Sequence, residues 1–434
     1  MKEPVKIGLV GFGIVGGGVA GIMFGKTKSH LQGFPPGLEL VKIADLDITT
    51  DRGVSVPDGI LTTDAGSILD DPDIDIVVEL IGGYEPARAF TLRAFENGKS
   101  VVTANKALVA RHGSELFEAA ARADVDYFFE ASVGGGIPLI RSIVNGLNAN
   151  VIDRFYGILN GTTNYILTGM ARDGKDYAGM LKKAQELGYA EADPTSDVSG
   201  GDALNKLVIL SRLCFDAVLD TDEVYCEGIE NITTQDIAYA GELGCSIKLL
   251  AIGKRLGDGT VEARVHPTFV PSGSMIASVE DEFNAVEIYG DEVGREIFYG
   301  KGAGKSPTAS AVVSDIVEAA RRIQSGVPSN VRRIANDIGA GPKLAPFDEL
   351  RLRYYLRFTV RDKAGVLAAI SKIFADENIS IEAVIQKGTL DNEYAPLVIM
   401  THEAREGDMQ RAMRKFGHLE PVRGPVRLIR VEKI

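Results

Sequence analysis

The sequence predicts an α/β protein in three parts: a doubly wound parallel sheet at the N-terminal end, a mixed α+β segment, and a small βαββαβ module at the C-terminal end. Three observations carry this. Between Lys6 and Glu130, short β-rich apolar runs alternate with helical patterns, the rhythm of parallel strands joined by crossover helices. Beyond Asp153 that rhythm gives way to helical patterns and β-rich stretches in mixed order. After Gly339-Ala340-Gly341-Pro342 and Pro346, the residues Leu356, Phe358 and Val360 alternate with polar neighbours and open a separate pattern. At 434 residues the chain exceeds what one hydrophobic core usually serves. The expected division is 1–150, 151–325, a linker at 326–350, and 351–434.

In the first part the expected strands are Lys6–Val10, Leu38–Ala44, Ile76–Leu80, Ser100–Thr103 and Tyr127–Phe129. Uninterrupted runs such as Ile76-Val77-Val78 suit strands covered on both faces. The second part reads as a strand at Phe155–Leu159, helices over Asp176–Leu187 and Gly201–Phe215, and a β-rich stretch through Val261–Val286. Ser306-Pro307 then opens a helix to about Gln324, with proline in the tolerated first turn. The third part runs strand Tyr354–Val360, helix Val366–Glu377, strands Ile379–Gln386 and Tyr394–Thr401, helix Gly407–Phe416 and strand Val422–Val431, a ferredoxin-like order.

Composition narrows the function classes. Forty-five per cent hydrophobic and 25% charged residues are ordinary for a globular protein. A net charge of -13 with no long basic cluster argues against nucleic acid as a partner. No apolar run reaches about 18 residues and the first strand leaves no room for a signal peptide, so no membrane partner and a cytoplasmic location are expected. Cys214, Cys226 and Cys245 lack paired spacing and suit reduced structural thiols. The five histidines are scattered without zinc-ligand spacing.

The chemistry-bearing motifs begin with Gly11-Phe12-Gly13-Ile14-Val15-Gly16, which follows the first strand and opens a helix. Strand, glycine loop and helix N-terminus in that order form a dinucleotide cradle: the glycines admit a pyrophosphate and the helix dipole stabilises its charge. Gly11, Gly13, Ile14, Val15 and Gly16 are the candidate contacts. Asp45, ending the second strand, is placed to accept hydrogen bonds from the adenosine ribose. It lies farther from the glycines than usual, and an inserted loop at His30–Gly37 accounts for the distance. Lys42 and Arg52 are nearby cations able to hold a 2′-phosphate instead, so NAD and NADP are both open.

Thr103-Ala104-Asn105-Lys106 lies at the carboxyl end of a parallel strand, the edge where such sheets bind ligands, which directs Thr103 and Lys106 toward the cofactor crevice. Asp202 and Lys206 stand four apart on one helix face, beside the apolar Leu204, Leu207 and Val208. On a wet surface they are an ion pair of little worth. Shielded from water, the lysine becomes a proton-exchanging group for a substrate hydroxyl during hydride transfer. Gly188-Tyr189-Ala190-Glu191-Ala192-Asp193-Pro194 is an acidic loop able to hold an ammonium group. Gly300-Lys301-Gly302-Ala303-Gly304-Lys305-Ser306 is not a triphosphate-binding loop, since Tyr299 stands where that pattern needs glycine and a strand must precede it; it remains able to contact a dinucleotide as a glycine loop opening a helix.

In order along residues 5–325, the glycine loop, Thr103–Lys106, Glu130-Ala131-Ser132-Val133-Gly134-Gly135-Gly136-Ile137-Pro138, Asn160-Gly161-Thr162-Thr163-Asn164, Gly188–Pro194 and Asp202–Lys206 resemble the monofunctional homoserine dehydrogenases. The segment after Gly339, with the turn Arg361-Asp362-Lys363-Ala364-Gly365-Val366-Leu367, is similar to an ACT domain. The resemblance implies a Rossmann-type first domain and interconversion of L-homoserine and L-aspartate 4-semialdehyde with NADP or NAD, on the route to threonine, methionine and isoleucine. By the same resemblance Lys206 is the proton donor, Glu191 and Asp202 hold substrate, Lys106 lies beside substrate and nicotinamide, and Gly188 and Gly302 line the cofactor. Glu130, Val133, Gly135 and Ile137 correspond to a monovalent-cation site, usually sodium, which suits carbonyl oxygens and orders the loop. ACT pairing implies a homodimer or homotetramer, with threonine near Asp362 and Gly365. The competing readings are another small amino- or hydroxy-acid dehydrogenase, separable by substrate screening, and a non-catalytic sensor, separable by turnover.

Overall fold

The computed structural model describes residues 4–25, 37–336, 341–388 and 393–434. Of the insertion expected at His30–Gly37 only Gly37 is among them, and Gly339 and Ala340 of the expected linker lie outside the described residues. The chain groups into two compact units whose segments interleave in sequence: 1–161, 204–223 and 283–343 form one, and 162–203, 224–282 and 344–434 the other.

The first unit is built on six parallel strands, Val5–Val10, Leu38–Ala44, Leu61–Thr62, Ile76–Glu79, Ser100–Thr103 and Tyr127–Phe128, in the spatial order 3-2-1-4-5-6. The five strands expected here are present within a residue or two, and Leu61–Thr62 is additional. Ile7, Leu9, Ile76 and Val78 are fully buried because helices cover the sheet. The order reverses between the first and fourth strands, which opens a crevice at their carboxyl ends. One of the covering helices is Ile14–Phe24, and the later helix Lys305–Ser325 packs on it through Ala309, Val312 and Ile316 against Val19 and Ala20. This unit also holds three antiparallel strands, Ile152–Ile158, Phe283–Gly290 and Gly294–Lys301.

In the second unit Cys245–Arg255 and Val261–Pro271 form an antiparallel pair eleven residues long on each side. Cys245–Arg255 is a strand that its sequence pattern does not announce. Its run Ile247-Lys248-Leu249-Leu250-Ala251-Ile252 is buried throughout and lacks the alternation that marks a half-exposed strand. The C-terminal module has the expected strand and helix order, with Arg427–Val431, Arg351–Arg361, Tyr394–Thr401 and Ile381–Gln386 adjacent in that sequence. Its strand Arg427–Val431 also pairs in parallel with Val261–Pro271, through Thr268 with Arg430 and Phe269 with Val431. The module therefore extends the sheet of the middle segment.

Buried charge reinforces that junction. Arg264, with no exposed surface, donates to Glu262 at 2.8 Å and to Glu432 of the module, and Lys254 Nζ joins Glu432 at 2.9 Å. Arg357 of the module donates through Nε to Asp236 at 2.7 Å and through Nη2 to Thr233 at 3.0 Å, the two side chains that cap the helix Thr234–Glu242. Arg430 grips Glu406 through Nε and Nη2 at 2.9 and 2.6 Å, and reaches Glu227 through Nη1 at 2.8 Å. Tyr355 stacks on Phe269, with ring centroids 4.6 Å apart.

Lys248 shows what burial does to a lone amine. It is 4% exposed and donates to the Val279 carbonyl at 2.5 Å and to Asn164 Oδ1 at 3.2 Å. Burial pushes its pKa down from 10.5 to about 8. Between those values the unfolded chain holds a proton that the folded chain has released, so this contribution is present at high pH and is lost as pH falls through 8. Between about pH 7.5 and 9.5, the stability of the native protein relative to Lys248→Met should rise by about 2 kcal/mol. Denaturant titration at the two pH values reads this; a difference that does not move would show that Lys248 titrates normally.

Candidate active site

The glycine loop has the local geometry a pyrophosphate needs. Gly11 has φ +103°, and a Cβ there would press on the Leu80 backbone. A Cβ on Gly16 would collide with the Gly11 carbonyl oxygen, so only glycine lets the helix start so close to its strand. Gly13 faces open space: among the described residues, nothing beyond its own chain neighbourhood lies within 4 Å of where its Cβ would be. That clearing at the N-terminus of Ile14–Phe24 fits a dinucleotide phosphate. Ile14 is 74% and Leu46 94% exposed, and Ile81 and Tyr84 are exposed as well. These apolar groups follow the carboxyl ends of the first, second and fourth strands, where a coenzyme's rings would cover them.

Asp45 has a use within the protein itself. Its Oδ2 accepts from the Phe12 N–H at 2.5 Å and its Oδ1 from the Asp47 N–H at 2.9 Å, so the carboxylate pins the glycine loop. Lys42 turns to the Ser67 carbonyl and Asp71. Arg52 pairs with Asp47 at 3.1 Å and packs against Gly17, and Lys305 Nζ donates to the Arg52 carbonyl at 3.1 Å. Two cations thus stand beside the glycine helix, one of them from the Gly300–Ser306 segment. Contrary to the sequence reading of that segment, a strand does precede it, Gly294–Lys301, and a helix follows at once.

Thr103-Ala104-Asn105-Lys106 is held by a buried acid that the sequence analysis did not single out. Glu79, 1% exposed, accepts from the Thr103 hydroxyl at 2.7 Å and from the Ile81 N–H at 2.9 Å. Burial raises its pKa. Thr103 thereby spends its hydroxyl inside the protein. Asn105 caps the helix Lys106–Ala123 by accepting from the Leu108 N–H at 3.1 Å, and donates to the Gly83 carbonyl at 2.7 Å. Lys106 opens that helix, half-buried, at the carboxyl edge of the sheet.

The loop Glu130–Pro138 is pinned from three sides. Glu130 accepts the Ile140 and Arg141 N–H groups at 2.8 and 2.7 Å, and gives its own N–H to Asp315 Oδ2 at 2.9 Å. Burial, with the Glu130 charge adding to it, pushes Asp315 up to about 7. Gly134 and Gly135 have φ +76° and +56°, and a Cβ on Gly135 would strike the Gly302 carbonyl. Glu130, Val133, Gly135 and Ile137 are all buried, so their carbonyl oxygens are sheltered from water. Such oxygens fit a hard monovalent cation. Beneath Gly302 lies Asn284, 1% exposed, whose side-chain nitrogen and oxygen have no hydrogen-bond partner among the described residues.

The helix Gly201–Phe215 carries both Asp202 and Lys206, 3% and 6% exposed, so neither is a solvated surface charge. Lys206 Nζ donates to the Leu159 carbonyl at 2.6 Å. Leu159 immediately precedes Asn160–Asn164, whose Thr162 hydroxyl donates to the Tyr189 carbonyl at 2.6 Å and so steadies the loop Gly188–Pro194. Gly188 has φ +76°, and both it and Glu191 are exposed. Asn164 Nδ2 donates to the Val279 and Asp281 carbonyls at 3.1 and 3.0 Å and so fastens its own helix, Gly161–Asp173, to them.

Comparison with known proteins agrees along the whole chain. A family model for homoserine dehydrogenase matches residues 138–317, that for the homoserine dehydrogenase NAD-binding domain matches 11–130, and that for the ACT domain matches 354–418. The homoserine dehydrogenase of Neisseria gonorrhoeae is 41% identical over 434 residues, 100% of this chain and 99% of that one. The crystal structure of a homoserine dehydrogenase from Thiobacillus denitrificans superposes with a TM-score of 0.92 at 42% identity, over 99% of both chains. A hyperthermophilic archaeal homoserine dehydrogenase in complex with NADPH superposes with a TM-score of 0.63 at 26% identity, over 74% of this chain and 98% of that one. Among the described residues no helix is long and apolar enough to cross a membrane.

Proposed function

From the premise that the chain belongs to the homoserine dehydrogenase family and is an NAD(P)-dependent oxidoreductase, we propose that it interconverts L-homoserine and L-aspartate 4-semialdehyde, with Lys206 as the proton-transferring group. The supporting observation is the near-complete burial of Lys206 with its ammonium hydrogen-bonded to Leu159, a cation aimed and shielded as an acid must be. Reduction of the aldehyde needs a hydride, which the reduced nicotinamide supplies when bound, and a proton at the carbonyl oxygen. Lys206 Nζ delivers that proton, and in the reverse direction takes it from the homoserine hydroxyl. Asp202 and Glu191 hold the substrate ammonium end, and Lys106 sits beside substrate and nicotinamide.

Gly11, Gly13, Ile14, Val15 and Gly16 would hold the coenzyme, and by the family resemblance Thr103, Gly188 and Gly302 would line it. Asp45 fixes the glycine loop, and Arg52 is the cation available to a 2′-phosphate, which favours NADP(H). Glu130, Val133, Gly135 and Ile137 would hold a sodium ion through their carbonyls, and such an ion would order the loop that Gly302 touches. The protein works in the cytoplasm as a homodimer or homotetramer. Threonine acts on the exposed turn at Asp362 and Gly365, where Gly365, at φ +90°, opens the helix Val366–Asp376.

The purified protein with aspartate semialdehyde should oxidise NADPH, more slowly NADH, and threonine should slow both. No oxidation of either coenzyme would remove the substrate assignment, and oxidation indifferent to threonine would remove the effector.

A further inference from the structure

Several buried acids of this chain have a cation beside them. Glu262 and Glu432 share Arg264, Asp236 has Arg357, and Glu406 has Arg430. Glu79 is buried as deeply, at 1% exposed, but its partners are all neutral. Oε2 accepts from the Thr103 hydroxyl at 2.7 Å, and Oε1 from the Ile81 and Gly82 N–H groups at 2.9 and 3.3 Å. No ion pair reaches Glu79 among the described residues.

The direction of these hydrogen bonds makes the group an anion. Thr103 Oγ1 itself accepts from the Asn105 N–H at 2.9 Å, so the hydrogen bridging Thr103 and Glu79 belongs to the hydroxyl. A proton on Glu79 Oε2 would reverse that bridge and leave the Thr103 hydroxyl hydrogen without an acceptor among the described residues. Three donors therefore hold a carboxylate, while burial works against its charge. A buried anion in that state is stabilised by a positive charge that arrives near it.

The position of Glu79 in the sheet decides which positive charge can arrive. It is the last residue of Ile76–Glu79, in register with Thr103, the last of Ser100–Thr103. Ile81 and Gly82 lie in the loop beyond the strand, so the carboxylate stands at the carboxyl edge, where such sheets bind their ligands. A dinucleotide crosses the switch point, here between the first and fourth strands. Its adenosine half belongs on the side of the second strand and Asp45, so its nicotinamide half would fall on the side of Glu79 and Thr103. The nicotinamide ring is neutral when reduced and positively charged when oxidised.

We propose that Glu79 sets the preference of the crevice between the two redox states of the coenzyme, its carboxylate stabilising the oxidised, positively charged nicotinamide over the reduced, neutral one. The inference rests on the coenzyme assignment above. In aldehyde reduction the carbonyl carbon gains a hydride and its oxygen the Lys206 proton, and the ring is left positive; Glu79 stabilises that charge as it develops. Glu79 acts through its field, from behind the Thr103 hydroxyl.

The test is calorimetric titration of the full-length protein with NADP+ and with NADPH, in the absence of substrate. In Glu79→Gln the ratio of the NADP+ to the NADPH dissociation constant should rise about tenfold, the order of effect of one charge across about 10 Å at an effective dielectric constant near 20. Glu79→Asp keeps the charge but reaches its donors less well, so it should weaken both coenzymes alike and leave the ratio as in the native protein. A tie that only orders the loops predicts parallel weakening in every variant. Should Glu79→Gln fail to fold, Glu79→Met, which keeps the stem and removes the charge, decides by the same ratio. A ratio unmoved in the uncharged variant overturns the proposal alone. Failure of the native protein to bind either coenzyme would overturn the coenzyme assignment and this inference with it.

Discussion

Lys206→Ala is expected to slow turnover by about 10²–10⁴-fold, the usual contribution of a positioned general acid, while NADPH binding stays nearly unchanged. The carbonyl of Leu159, which now accepts from the ammonium at 2.6 Å, loses that partner in the variant. A buried carbonyl left so costs about 1–3 kcal/mol, and a slow variant could therefore be a loosened one. Lys206→Met restores the packing of the stem without a transferable proton, and should be as slow as the alanine variant while melting closer to the native protein. Steady-state rates with coenzyme affinity from fluorescence titration separate the two effects. Near-normal turnover in the methionine variant would take Lys206 out of the chemistry.

Arg264→Met is expected to cost about 3–5 kcal/mol of stability, the penalty for removing one partner of a buried ion pair. Arg264 has no exposed surface, and it holds Glu262 and Glu432 in place with help from Lys254. Burial alone would raise the Glu432 pKa, but the charges of Arg264 and Lys254 overcome this and hold it below 4.5. With the folded value depressed, that stability is present above pH 4.5 and is lost as pH falls through the folded value. The variant should consequently lose part of the native protein's acid sensitivity as well as its midpoint in urea. An unchanged midpoint would mean that the network is too hydrated to matter. Removing the whole C-terminal module is a harsher experiment, since it strands Arg264 and strips the edge of Val261–Pro271, so point variants report regulation more cleanly.

Much of this was legible in the sequence where the signal is local. A glycine loop after a strand, continuous apolar runs and a turn-bounded βαββαβ order all follow from short-range pattern, and each stands where expected. Burial of Asp202 and Lys206 was left open because helical spacing shows that two residues share a face, not what covers it. Contacts between distant residues were invisible: Arg357 and Asp236 are 121 positions apart, and no periodicity links them. Glu79 was missed for a related reason. At the end of an apolar strand it reads as a boundary residue, and only the strand beside it shows that its carboxylate clamps Thr103.

The strand Arg427–Val431 comes after every other strand of its sheet in the chain, yet lies between Val261–Pro271 and Arg351–Arg361. During synthesis the first of these partners waits about 160 residues for it. At roughly 5–20 residues per second that is on the order of ten seconds or more, in which the Thr268–Phe269 end of that edge, beyond the stretch paired with Tyr225–Cys226, is bare and open to the wrong chain. The sheet can be completed only once the ribosome has released its closing strand, so slowing translation late in the message should lower the yield of folded protein more than slowing it early.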